Sequence, residues 1–197
     1  MNQVVIGEVG GQGAGKEELW KAICKISREN EIFAYARYST SVFLRKMLGN
    51  MDIVDGRDNI TKLVTFLEAT RGEGDAMRRM LESVRGERPT LRIIDSIRML
   101  ADETFLRAES HNILLYITAD QKIRYDRVKR RGDKPGEKEL TWEKFLEQEA
   151  SLTEKHIPEI GSRADWEIEN NGSLEELEEK VREFFARVVR PMAERPE

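Results

Sequence analysis

Val4-Val5-Ile6-Gly7-Glu8-Val9-Gly10-Gly11-Gln12-Gly13-Ala14-Gly15-Lys16-Glu17-Glu18-Leu19-Trp20 joins a β-branched apolar run to a glycine-rich turn that ends in Gly-Lys and continues as a helical pattern. The order is strand, glycine loop, helix. From Gly10 to Gly15-Lys16 the spacing is G-x-x-x-x-G-K. Residues without side chains let backbone N–H groups close around phosphate oxygens, and a lysine at that place reaches the outer phosphates. A helix starting near Gly15 turns the positive end of its dipole to the same spot. Gly11, Gln12, Gly13, Ala14, Gly15 and Lys16 are therefore the phosphate-binding candidates, with Glu17 and Glu18 beside them at the helix start. Glu17 stands where the pattern has a Ser or Thr hydroxyl for Mg²⁺. A carboxylate there either takes the metal itself or repels phosphate.

Apolar, β-rich runs recur beyond this segment at Ile32–Ala36, Leu91–Asp95, Ile113–Thr118 and Asp165–Glu169, with helical patterns between them. That alternation predicts an α/β fold of three layers, a parallel sheet with helices on both faces. Ligands on such sheets bind at the carboxyl ends of the strands. Between the second and third strands, helical stretches at Ser41–Leu48, Asn59–Thr70 and Asp75–Val84 form an insertion, residues 38–89, of the size of a substrate-binding cap. The polar run Arg131-Gly132-Asp133-Lys134-Pro135-Gly136-Glu137-Lys138 lies in a lid region, 124–156, broken by Pro and Gly. Ser173 precedes a leucine-spaced acidic segment, as an N-cap before a terminal packing helix.

The 197 residues suit a single domain spanning 1–197, and a charged content of 36% gives a well-solvated surface. A net charge of −4 provides no global basic field for nucleic acid, so no nucleic-acid partner is expected. No apolar run approaches the roughly 18 residues of a membrane span, and the chain enters a strand without a signal-like segment. One cysteine, Cys24, reads as core filler in a reducing compartment. A cytoplasmic protein with no membrane partner, monomeric or homodimeric, is the expectation. Two histidines, His111 and His156, and one cysteine do not compose a zinc site.

Asp95 ends a buried strand, where a phosphate-loop enzyme needs a carboxylate for Mg²⁺ or its waters; with Glu17 it is the metal-side candidate. Arg98 follows three residues later, and Arg124, Arg127 and Arg131 share a helix face at i, i+3 and i+7, so that their guanidinium groups can line one anionic cleft. Phosphoryl transfer uses such planar donors, because its transition state spreads negative charge over several oxygens. Tyr35, Tyr38 and Phe43 read as packing residues.

In combination these segments resemble the nucleoside monophosphate kinase group of P-loop kinases, relatives of adenylate kinase. Gly10 to Lys16 resembles that group's phosphate loop. Thr40-Ser41-Val42-Phe43-Leu44-Arg45 resembles its Thr-Gly-Asp-Leu-Leu-Arg acceptor segment, and Ile94-Asp95-Ser96-Ile97-Arg98 resembles its Ile-Asp-Gly-Phe-Pro-Arg strand end. Asp126-Arg127 with Arg130-Arg131 is similar to the start of its arginine-rich lid. Ala164-Asp165-Trp166-Glu167-Ile168-Glu169-Asn170-Asn171-Gly172 resembles the last strand and loop of dephospho-coenzyme A kinases. The resemblance implies a five-stranded P-loop NTPase sheet of order 2-3-1-4-5, and ATP and Mg²⁺ as cofactors. It implies that Lys16 and the loop amides hold ATP phosphates, that Thr40, Arg45 and Arg98 face the acceptor, and that Arg127 and Arg131 close over the transferring group. Asn171 falls with the nucleotide-binding set. Ser41, Val42, Glu17 and Glu18 depart from the family pattern. Because Tyr38-Ser39-Thr40-Ser41 holds no carboxylate base, a phosphate acceptor fits better than an alcohol. Arg57, Arg71 and Arg98 suit such an acceptor, while Asp58 or Glu73 is the alternative source of a base. The expected activity is transfer of the γ-phosphate of ATP to a nucleoside monophosphate or similar small molecule. A dephospho-coenzyme A kinase-like enzyme and a slowly hydrolysing nucleotide-binding regulator are the alternatives.

Overall fold

The computed structural model describes residues 2–31, 34–95, 97–132, 136–151 and 154–194; the side chains of Arg57 and Asp58 fall outside that description. In chain order the elements are β1 (Val4–Val9), α1 (Lys16–Glu29), β2 (Tyr35–Ser39), α2 (Thr40–Asn50), α3 (Arg57–Arg71), α4 (Asp75–Ser83) and β3 (Leu91–Asp95). They continue with α5 (Leu100–Arg107), β4 (Asn112–Thr118), α6 (Gln121–Arg131), α7 (Trp142–Glu149), α8 (Ile157–Gly161), β5 (Trp166–Glu169) and α9 (Leu174–Phe184). A π-helical stretch, Phe185–Val189, carries α9 into α10 (Arg190–Ala193).

All strand pairs are parallel and the order is β2-β3-β1-β4-β5, as the resemblance implies. Parallel sheets survive only when both faces are covered, and the continuous apolar runs of β1, β3 and β4 serve both faces at once. Val4, Ile6, Leu91, Ile93, Leu115 and Ile117 point to one side, against Leu19, Ile23 and Ile26 of α1 and Leu177, Val181 and Phe184 of α9. Val5, Val9, Ile94 and Leu114 point to the other, against Met77 and Met80 of α4, Leu106 of α5 and Ile157 and Ile160 of α8. Cys24 is buried in the layer of α1.

The second strand is displaced from the reading at Ile32–Ala36 and runs Tyr35–Ser39. Its alternating Tyr-Ala-Arg-Tyr-Ser hides a strand because Arg37, inward on the α1 side, is polar, and only its carboxylate partners make that placement tolerable. Residues Ile32 and Phe33 of that reading lie outside the described residues. The three helices between β2 and β3 match the expected stretches to within a few residues. They form a small cluster of their own around Leu44, Leu67 and Ala76.

A satellite cluster ties α6 to α7. Phe145 is fully buried, stacked on Trp142 at 5.8 Å between ring centroids and edge-on to Tyr125 at 5.7 Å. Ser173 caps α9 as its sequence predicts, its side chain accepting from Glu176 N at 3.3 Å. Among the described residues no helix is long and apolar enough to cross a membrane. Because Phe145 is fully buried at the centre of the cluster between α6 and α7, Phe145→Ala is expected to cost about 3–5 kcal/mol of stability, read by urea denaturation.

Candidate phosphate-binding site

The loop between β1 and α1 holds two glycines in left-handed backbone conformation, Gly13 at φ +76° and Gly15 at φ +103°. Each is also short of room. A Cβ on Gly13 would strike the backbone of Arg124, and one on Gly15 would strike the side-chain amide of Asn170. Conformation and space both exclude a side chain there. Gly15 leads directly into α1, so the free N–H groups and dipole of that helix open onto the loop. Lys16 folds back across the loop, its Nζ donating to Gly10 O at 2.5 Å and Gly11 O at 2.9 Å.

Beneath α1 the sheet brings together a group of charges. Gly7 of β1 pairs with Ile94 of β3, so the next residues, Glu8 and Asp95, lie on adjacent strands and share the α1 face. Arg37 joins them from β2. Its guanidinium bridges Glu17 Oε2 at 2.9 Å and Asp95 Oδ2 at 3.1 Å, and its Cζ lies 5.4 Å from the Trp20 ring centroid. The two carboxylates expected at a metal thus converge on one internal cation. Glu8 is 1% exposed, and among the described residues neither of its carboxylate oxygens has a hydrogen-bond partner. Burial first, then the neighbouring Asp95, pushes the Glu8 carboxyl from 4.5 up to about 8, against the opposing pull of Lys16 and Arg37. Sequence reasoning missed Glu8 and Arg37. The signal available for each was a charged residue inside an otherwise β-rich run.

On the β4 side, Arg124 takes the loop contact. It donates to Ala119 O at 3.0 Å and Gln12 O at 3.4 Å, and grips Glu149 at the end of α7 through both terminal nitrogens. Gln12 itself donates to Gln148 at 3.1 Å. The end of α7 therefore covers the loop. The cavity left between Gly11, Thr118, Arg124, Glu149 and Glu154 is about 70 Å³, below the roughly 300–1,000 Å³ of ordinary ligand sites. Arg98 pairs with Glu154, a residue only 4% exposed whose Oε2 has no hydrogen-bond partner.

Arg127 donates to Asn170 O at 2.8 Å, and the Asn170 side chain donates to Ala14 O at 2.8 Å, so Arg127 reaches the loop through one intermediary. Burial, then Arg130, holds the Arg127 pKa below the ordinary arginine value. Asn171, one residue on, binds elsewhere: its Oδ1 accepts from Asp120 N at 2.7 Å. Arg131 pairs with Glu137. The three arginines on one face of α6 are thus held by three different partners. Glu18 is paired with Lys21 at 2.7 Å on the outer face of α1.

The acceptor-side candidates are spread out. Thr40 Oγ1 lies 3.9 Å from Met80 Sδ, and Arg45 pairs with Asp55 at 2.7 Å on the surface of α2. Arg71 is exposed at the end of α3. The side chains of Arg57 and Asp58 lie outside the described residues. Tyr35, Tyr38 and Phe43 pack as expected, Tyr35 edge-on to Trp20 at 5.8 Å, Tyr38 and Phe43 against the α4 side of the core.

Sheet order, phosphate-type loop and helix arrangement define a P-loop kinase fold. No protein-family model matches the chain. Among solved structures it is similar to TT1252 from Thermus thermophilus, with 22% identity, a TM-score of 0.62 and coverage of 95% of this chain and 99% of that one. It is likewise similar to shikimate kinase from Bacteroides thetaiotaomicron, with 16% identity, a TM-score of 0.58 and coverage of 93% and 98%. In sequence it is 22% identical over 132 residues to a UPF0200 protein of Hyperthermus butylicus, covering 67% of this chain and 70% of that protein. It is 30% identical over 114 residues to a UPF0200 protein of Pyrococcus horikoshii, covering 55% and 60%.

The position of Glu8 fixes a sign for pH dependence. Its folded pKa lies above its unfolded value, so the folded chain binds the extra proton between pH 4.5 and about 8, and stability falls as pH rises through that window. Glu8→Gln removes the cost of ionising. The variant is expected to melt close to the unsubstituted protein at pH 5 and above it at pH 8.5, in thermal scans run with EDTA.

Proposed function

We propose that this protein is an ATP-dependent phosphotransferase that moves a γ-phosphate to a small phosphorylated acceptor, a nucleoside monophosphate or a molecule like it. The observation that carries this reading is the convergence on one glycine loop of Lys16 at the start of α1, the guanidinium of Arg124 and, through Asn170, that of Arg127. Transfer of a phosphoryl group asks little covalent chemistry of a protein; it asks for positioning and for donors where negative charge spreads. In this reading Lys16 and the loop amides hold the outer phosphates. Arg124 and Arg127 bind the charge of the transferring group, and Arg98, released from Glu154, takes the acceptor's phosphate. Arg131, released from Glu137, closes last. Thr40, Arg45, Arg57 and Arg71 are the acceptor-side candidates from the helices after β2.

Glu17 and Asp95 are hard oxygen donors of the kind Mg²⁺ takes, both held on Arg37; among the described residues no group of three or more metal-ligating side chains stands together, so these two would hold the ion with the phosphates supplying its other oxygens. When bound, Mg²⁺ neutralises phosphate charge. Water has to be kept from the reactive phosphate, and the end of α7, already seated on the loop, is the natural cover.

A second reading, transfer to a hydroxyl as in a dephospho-coenzyme A kinase, is favoured by Glu154. Its buried, unpartnered Oε2 beside the loop is a candidate base. The test is ATP consumption with Mg²⁺ over nucleoside monophosphates, dephospho-coenzyme A, shikimate and a no-acceptor control, with products resolved by mass. Transfer to a monophosphate supports the first reading and transfer to an alcohol the second. ATP binding without transfer to any acceptor overturns both in favour of a nucleotide-binding regulator. Lys16→Ala is expected to weaken ATP binding about tenfold or more by calorimetry, whereas Glu149→Gln, which frees Arg124, is expected to strengthen it several-fold.

A further inference from the structure

A second cavity lies away from the glycine loop. It has a volume of about 790 Å³ and lies at the opposite edge of the sheet, where the strands begin. Asn2 and Gln3, ahead of β1, Arg92 near the start of β3 and His111 just before β4 border it. Strand β1, six residues and roughly 20 Å long, separates this edge from the glycine loop.

Four arginines, Arg78, Arg85, Arg88 and Arg92, face two glutamates, Glu82 and Glu109, across this cavity. They come from α4, the connection after it and β3, so the cluster is made by the fold and not by one run of sequence. Glu82 is engaged by Arg78 at 2.8 Å, and Glu109 by Arg92 Nη1 at 3.3 Å. The other two arginines have no carboxylate among the described residues. Arg88 donates only to the carbonyls of Arg85 at 2.6 Å and Glu87 at 3.1 Å.

Arg92 makes the cluster a built site. It is 5% exposed, its Cζ lies 5.5 Å from the Tyr38 ring centroid, and its buried Nε has no hydrogen-bond partner. A buried donor on a charged group costs free energy unless an acceptor meets it. His111, in the turn before β4, borders the cavity with its Nε2 3.4 Å from Asn2 Nδ2.

We infer that this cavity is a second anion site, which binds the phosphate group of a small phosphorylated molecule at the edge of the sheet remote from the glycine loop. The lining carries an excess of two positive charges, which a phosphate dianion balances. Planar guanidinium groups hold phosphate oxygens in pairs. The volume holds a metabolite beyond its phosphate, and Leu81 and Phe105 supply apolar wall for the rest. A concave site favours a small molecule over the backbone of a nucleic acid.

The probe is pyrophosphate, titrated calorimetrically at low salt without Mg²⁺ into the full chain carrying Lys16→Ala, which silences the glycine loop. Binding to one site with a Kd below about 1 mM is expected. Arg85→Ala with Arg88→Ala in the same chain is expected to weaken it about tenfold or more without moving the melting temperature, because both residues are exposed. Three outcomes overturn the inference: no pyrophosphate binding to the Lys16→Ala chain, binding that the double arginine change leaves intact, or tighter binding of a short single-stranded oligonucleotide than of pyrophosphate at the same site.

Discussion

Gly13 and Gly15, in the loop after β1, have no space for side chains, and distant parts of the molecule close on those two positions. The backbone of Arg124 fills the place of a Cβ on Gly13, and the amide of Asn170 fills that of a Cβ on Gly15. These neighbours come from α6 and from the end of β5, far from the loop in sequence. Their approach pins the β4–β5 half of the sheet to the first strand–helix unit. Asn170 makes the link specific: its side chain donates to Ala14 O while its carbonyl accepts from Arg127. Loop, last strand and arginine helix are thus coupled by a short chain of hydrogen bonds.

Charge under α1 is the second constraint. Placing Glu8 and Asp95 side by side on the sheet sets two carboxylates against each other in a water-poor layer, and the fold meets this in two ways. Arg37 bridges Asp95 to Glu17, and Glu8 keeps its proton well above the usual carboxylate range. On the other side of the loop Glu149, Glu154 and Glu137 hold Arg124, Arg98 and Arg131 in ion pairs.

The two ends of the sheet therefore differ in kind. At the carboxyl ends Arg98, Arg124 and Arg131 are paired with carboxylates and the space is nearly closed. At the opposite edge the space is open, and part of the arginine charge meets only backbone carbonyls.

Local sequence determined the elements that rest on local physics. Val4–Val9, Leu91–Asp95, the helices after β2 and the Ser173 cap follow from apolar periodicity, turn chemistry and capping, all of which act within a few residues. The glycine loop was legible for the same reason, its spacing being a property of one short segment. Tertiary structure decided what depends on neighbours distant in sequence. Strand β2 was misplaced because Arg37 is acceptable inside a strand only beside Asp95 and Glu17. Glu8 gained its role from a strand register, and Asn170, not its neighbour Asn171, met the loop because β5 ends where it does. The arginines of α6 share a helix face, as the spacing required, yet Arg124, Arg127 and Arg131 went to separate partners. Helical spacing sets the direction of a side chain, and only the packed neighbours set what it meets.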